Sequence, residues 1–151
     1  MIFCKAKLSD IAQMQELVKP EVEKGIILFR NSDEIATNIR SYILAKEDTE
    51  IVGFGALHFH ADNLAEVRSL VVKEGMRSKG IGKGIVNTLL EEGTQLGVKK
   101  VFTLTYKKAF FEAVGFVEIP KESLPSHKIW ADCIKCKHFP ICDEIALIKN
   151  L

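Results

Sequence analysis

Residues 66–84, E-V-R-S-L-V-V-K-E-G-M-R-S-K-G-I-G-K-G, constrain the fold of this chain more than any other stretch. They open as an apolar, β-branched strand carrying Val67, Leu70, Val71 and Val72. A basic, glycine-rich loop follows (Arg77, Ser78, Lys79, Gly80, Ile81, Gly82), and a helix is predicted over Lys83–Leu96. Glycines let backbone N–H groups come close to an oxyanion, and the dipole at a helix N-terminus favours negative charge there. Arg77, Lys79 and Lys83 add formal positive charge around the same point. A strand, loop and helix start of this kind suits a diphosphate.

Two common phosphate fingerprints do not fit. A P-loop needs four residues between its glycines and then Lys-Ser/Thr, which this stretch lacks. A dinucleotide fingerprint needs G-x-G-x-x-G near the start of a βαβ unit. Here the pattern is R-x-x-G-x-G, in mid-chain, after what reads as an antiparallel hairpin turning at Asp62–Asn63.

The flanking segments alternate between the two periods expected of a mixed α/β domain. Ile2–Leu8 suits a strand, and Ser9 and Asp10 are N-cap material for a helix with Ile11, Met14, Leu17 and Val18 on one face, ending at Pro20. Ser32, Asp33 and Glu34 start a second helix carrying Ile35, Ile39 and Tyr42, while Tyr42–Lys46 also reads as a strand. Ile51–His60 and Leu64–Val72 are strands, Val101–Thr105 is a short buried one, and Lys107–Val114 is a short helix stopped by Gly115. Phe116–Ile119 is a further strand, the tail from about residue 120 is irregular and cysteine-containing, and Glu144–Lys149 is placed to close the sheet.

One domain over residues 1–151 follows from the length. A net charge of +1 leaves no global basic field for nucleic acid, so an acidic ligand has to be met by local cations. No apolar run approaches the roughly 20 residues of a membrane span, and the first residues lack a signal-peptide pattern, so the cytoplasm is the expected location. Four cysteines, three of them clustered at Cys133, Cys136 and Cys142, do not form a secreted disulfide framework. With His138 they make C-x-x-C-x-H-x-x-x-C, which suits either a tetrahedral zinc site or reduced, buried thiols.

The R-x-x-G-x-G loop, the L-x-V before it, the helix after it, the strand Val101–Thr105 and the segment F-F-E-A-V-G-F stand in the order of the GNAT superfamily of N-acetyltransferases, which the chain resembles. A narrower resemblance covers residues 1 to about 130. K-A-K-L-S-D-I, E-K-G-I-I-L-F-R-N-S-D-E-I, A-E-V-R-S-L-V-V, F-T-L-T and F-F-E-A-V-G-F are similar to the acetyltransferase domain of N-acetylglutamate synthases. Those enzymes acetylate the α-amine of L-glutamate with acetyl-CoA on the way to arginine. Many carry a preceding kinase-like domain, so this chain is expected to be a free-standing acetyltransferase domain.

The resemblance implies a mostly antiparallel mixed sheet flanked by helices, with two strands splayed apart at the acetyl-CoA site. Backbone groups of Leu70, Val71 and Val72 are expected to pair with the pantetheine amides. Arg77, Ser78, Lys79, Gly80, Ile81, Gly82 and Lys83 are expected to hold the diphosphate. Glu66 matches the position of a proposed base, because the attacking amine must be uncharged; an exposed strand-end glutamate is the alternative.

Proton return to the thiolate implies a donor. Many relatives use a tyrosine where this chain has Phe111, which is expected to border the cofactor instead; that leaves Thr105 and Tyr106 as donors, and Thr105 also reads as a plain strand residue. Arg30 matches an acceptor-binding arginine and suits a carboxylate, with Arg68 and Ser69 as further acceptor residues. Arg68 also suits Glu66 or Asp62 as its anionic partner. His58 and His60 read as strand residues near the site. Besides L-glutamate, the acceptor alternatives are another small amino acid, an amine or a peptide N-terminus, and a non-catalytic acetyl-CoA sensor stands outside the class. No metal is needed for this chemistry, and a homodimer is a further expectation.

Overall fold

In the computed structural model, which describes residues 1–124 and 144–151, seven strands form one mixed sheet. They are β1 (Ile2–Lys5), β2 (Tyr42–Glu47), β3 (Glu50–Ala61), β4 (Leu64–Val72), β5 (Lys100–Thr105), β6 (Val117–Ile119) and β7 (Ile145–Asn150). Their order is β1-β2-β3-β4-β5-β7-β6. β4 and β5 run parallel, and the other neighbours are antiparallel. The helices are α1 (Ile11–Glu23), α2 (Ser32–Thr37), α3 (Ile81–Leu96) and α4 (Lys108–Ala113).

Side chains alternate across a strand, so the sheet divides the apolar residues between two layers. On β2, Tyr42 and Leu44 join Met14 of α1 and Ile35 of α2, while Ile43 and Ala45 join Ile85, Val86 and Leu89 of α3. The α3 layer also takes Phe111 of α4 and Phe116. The amphipathic pattern of α3 thus faces the sheet as its sequence indicates, and Gly97 ends it at φ 93°, the left-handed conformation that suits glycine.

Local signals shift several boundaries. α1 continues about one turn past the end expected at Pro20, reaching Glu23, with the Lys24 N–H donating to the Pro20 carbonyl at 3.1 Å. The second helix stops at Thr37 and Tyr42 opens β2, so Ile35 and Tyr42 meet in one core layer without sharing a helix. Its N-cap is Asn31, whose side-chain oxygen accepts the Glu34 N–H at 2.8 Å. α3 begins at Ile81, two residues earlier than predicted. β7 does not close an edge of the sheet; it lies between β5 and β6.

Two irregularities of β4 shape the region around Glu66. Phe54 pairs with Val71 and Ala56 with Arg68, so the single residue Gly55 faces both Ser69 and Leu70. This bulge reverses the pleat: Leu70 packs against the α3 layer and Val71 against the α1 layer. Ser69 takes φ 59° to achieve it. On the other side, β4 pairs with β5 at Ala65–Val101 and Glu66–Phe102, and the pairing stops there. The buried Thr103 hydroxyl donates to the Val67 carbonyl at 2.9 Å at the fork. Beyond it the strands diverge.

Candidate active site

The fork leaves β4 from Arg68 to Val72 without a neighbour on the β5 side, which is the splayed gap expected of the fold. Leu70, Val71 and Val72 therefore border the gap with their backbone. At its far end the loop into α3 has left-handed residues at Gly75, Ser78 and Gly80. Residues of this kind aim loop N–H groups into concavities that suit anions. A methyl group on Gly80 would meet nothing within 4 Å, so the loop is open on that side. Lys79 and Lys83 are exposed, and neither forms an ion pair among the described residues.

The later glycines of the motif have packing duties. A Cβ on Gly84 would lie 2.3 Å from the Phe3 ring of β1, and one on Gly82 would lie 3.2 Å from Phe110 of α4. Of Gly80, Gly82 and Gly84, only Gly80, at φ 80°, combines a left-handed backbone with open space, which it shares with Gly75 earlier in the loop. Arg77 is drawn away from the loop: Nε donates to the Val72 carbonyl at 3.1 Å and Nη2 pairs with Glu21 of α1. Phe111 lies in the core, edge-to-face with Phe110 and Phe116, and is 3% exposed.

On the α1 face of the sheet the hairpin β3–β4 assembles a polar cluster. Glu66 is 1% exposed, so its carboxylate needs partners. His60 Nε2 stands 2.8 Å from Glu66 Oε1, and Arg68 Nη1 stands 4.0 Å from the same oxygen. Arg68 Nη2 is 2.9 Å from His58 Nδ1, and the His58 ring meets Tyr42 edge-on at 6.3 Å. Burial pushes the Tyr42 phenol above its ordinary pKa of 10.0, against the lowering by the Arg30 and Arg68 guanidinium groups. The two arginines therefore act on one spot. Glu66 is buried, which excludes the exposed strand-end alternative, and Arg68 finds its anion in Glu66.

A cavity of about 280 Å³ opens beside this cluster, between α1 and the segment 27–30. Arg30, Ser69 and Tyr42 line it together with Val18, Val22 and Phe29. Arg30 Nη1 lies 3.6 Å from Glu34 Oε2, which fixes the guanidinium on the cavity wall. Thr105 ends β5, and its hydroxyl oxygen accepts the Lys107 N–H at 3.0 Å. Tyr106 next to it is exposed. Cys133, Cys136, His138 and Cys142 lie outside the described residues.

The sequence alone assigned no role in the site to His60, Tyr42, Thr103 or Glu21. His60 had a usable signal: the turn at Asp62–Asn63 folds position 58 back over 66, and position 60, two residues on along the same strand, falls diagonally beside it. Glu21 had none, since its partner is 56 residues away.

The model of the acetyltransferase (GNAT) family matches residues 8–117. An uncharacterised N-acetyltransferase of Chlorobaculum tepidum is 38% identical over 146 residues, covering 97% of this chain and 94% of that protein. An amino-acid acetyltransferase of Mycobacterium tuberculosis is 33% identical over 118 residues, covering 76% of this chain and 67% of that protein. The N-acetylglutamate synthase of Neisseria gonorrhoeae, solved with coenzyme A and N-acetyl-glutamate, superposes with a TM-score of 0.89 at 20% identity. It covers 99% of this chain, and this chain spans 35% of its length. No described helix is long and apolar enough to cross a membrane. With the fork, the bulge and the open loop before α3 all in place, the chain belongs to the GNAT family of acetyltransferases, enzymes that take their acetyl group from acetyl-CoA.

Proposed function

We propose that this chain acetylates the α-amine of L-glutamate. The observation that carries the reading is the cavity that brings the cationic side chain of Arg30 to Ser69, beside the buried Glu66 and the half-buried His60 and Arg68. A glutamate carries two carboxylates, and a planar guanidinium grips a carboxylate through two parallel hydrogen bonds. The likeness to an amino-acid acetyltransferase at 33% identity supports the substrate class.

In this reading the donor lies along the fork. Backbone groups of Leu70, Val71 and Val72 pair with its amides, and Ser78–Lys83 receive the diphosphate on loop and helix N–H groups with Lys79 and Lys83 alongside. Glu66, oriented by His60, accepts the proton that the substrate ammonium must lose. The amine nitrogen then bonds the acetyl carbon, the carbon–sulfur bond breaks with its electron pair left on sulfur, and the nitrogen gives up a second proton, which replaces the one that Thr105 passes to the sulfur. The interrupted pairing at Ser69–Leu70 frees backbone groups to stabilise the oxyanion formed between those two events. Thr105 accepts a hydrogen bond from Lys107 through its oxygen, so its own proton remains available to the thiolate. Tyr106 is the second donor within reach in sequence.

The apolar part of the cavity wall (Val18, Val22, Ile27, Phe29) favours a second reading, an amino acid with an uncharged side chain. Thiol release from acetyl-CoA, measured with each of the common amino acids, separates the two. Turnover highest with L-glutamate is expected, and Arg30→Ala is expected to raise KM for glutamate about tenfold while KM for acetyl-CoA stays within about twofold. Turnover confined to uncharged amino acids would replace the substrate. Binding of CoA with silence towards every amine would make the chain a sensor.

A further inference from the structure

Arg77 heads the R-x-x-G-x-G motif, yet its guanidinium points from the donor loop to α1. Nε reaches the Val72 carbonyl at 3.1 Å and Nη2 reaches Glu21. Glu21 is 8% exposed, and its backbone carbonyl accepts the N–H groups of Ile26 at 2.9 Å and Ile27 at 3.3 Å. It is therefore the joint between the end of α1 and the segment that leads to Arg30. Its helix neighbours Val18, Lys19 and Val22 line the acceptor cavity, as does the segment Ile27 to Arg30.

We propose that Arg77 is a positioning residue for the acceptor cavity, clamping Glu21 to the end of β4, and not a ligand of the diphosphate. Handing the guanidinium to a phosphate would strand the Glu21 carboxylate in a nearly dry place, which is costlier than losing a surface pair. The forked guanidinium meets the Val72 carbonyl and Glu21 at once, which a single ammonium head cannot reproduce. The donor loop does not need it, because Lys79 and Lys83 are exposed there and form no ion pair among the described residues. The inference rests on the cavity being the acceptor site and is independent of which amino acid enters it.

The test compares Arg77→Ala, Arg77→Lys, Glu21→Gln and the double variant E21Q/R77A. CoA binding is followed by titration calorimetry, and hydrogen exchange is followed over residues 21–30. All four variants are expected to bind CoA within about threefold of the parent and to exchange residues 26–30 at least about tenfold faster. KM for L-glutamate is expected to rise about tenfold with kcat within about threefold, and the double variant is expected to be no worse than Arg77→Ala. CoA affinity falling tenfold or more in Arg77→Ala but not in Glu21→Gln would overturn the proposal, as would unchanged exchange in residues 26–30. Should Arg77→Ala not fold, Arg77→Lys and Glu21→Gln carry the same comparison. A parent that turns over no glutamate refutes the substrate reading alone, since calorimetry and exchange still decide this one.

Discussion

His60 Nε2 lies 2.8 Å from Glu66 Oε1, although the residue directly across the ladder from Glu66 is His58. The diagonal pairing hands His58 to Arg68 and His60 to Glu66, so each histidine orients one charged group. Glu66→Gln keeps the shape and removes the proton acceptor. A fall in kcat of roughly 10²–10³ is expected with CoA affinity unchanged, and His60→Ala is expected to cost about tenfold. Steady-state kinetics with calorimetry check both, and full activity of Glu66→Gln would dismiss the carboxylate as the base.

Ser69 sets the pleat of β4 at φ 59°. Glycine tolerates that backbone, whereas a β-branched residue is strained there by roughly 1–2 kcal/mol. Ser69→Gly is expected to leave stability near the parent value, and Ser69→Val to lower both stability and kcat. Denaturant midpoints and kcat for the two variants decide, and equal effects would mean that the bulge does not govern the site.

Thr103 holds the fork through the Val67 carbonyl at 2.9 Å in a fully buried place. Thr103→Val preserves shape but leaves that carbonyl without its donor, at a cost of about 1–3 kcal/mol. The expected result is a lower urea midpoint with an unchanged slope. A midpoint equal to that of the parent would show that the hydroxyl is not needed at the branch.

The Tyr42 phenol is held above 10.0 by burial. The folded state therefore favours the neutral form more than the unfolded chain does, so this contribution is fully present below pH 10 and is lost as pH rises above it. The chain has two tyrosines, Tyr42 and Tyr106. Ultraviolet difference titration should show a step later than that of a free phenol, absent in Tyr42→Phe. A parent and variant differing only in amplitude near pH 10 would contradict the burial of the hydroxyl.

What could be read from residue order was whatever is decided within a few residues. The apolar period of α3, the stop at Gly97 and the turn at Asp62–Asn63 are local choices, and each stands where the pattern indicates. Boundaries moved where tertiary contact overrode propensity. Pro20 sits inside α1 because Glu21, one residue on, is anchored from both its carbonyl and its carboxylate. The bulge at Ser69 depends on Gly55 in another strand, and the Arg77–Glu21 pair joins residues far apart in the chain. No window along the sequence contains both partners. The glycine run looked uniform, yet only contact with Phe3 and Phe110 distinguishes the packing roles of Gly84 and Gly82 from the open position of Gly80.

The place of β7 has a consequence for how the chain is made. Residues 145–150 slot between β5 and β6, so those two earlier strands have no lasting partner on their facing edges until β7 arrives. During synthesis β1–β4 and α3 can gather first, while the strand ending at Thr105 waits for residues some 40 positions downstream. The half of the protein that holds the loop and the bulge is thus available before residues 145–150 emerge from the ribosome, and the far wall of the fork is finished only after they do.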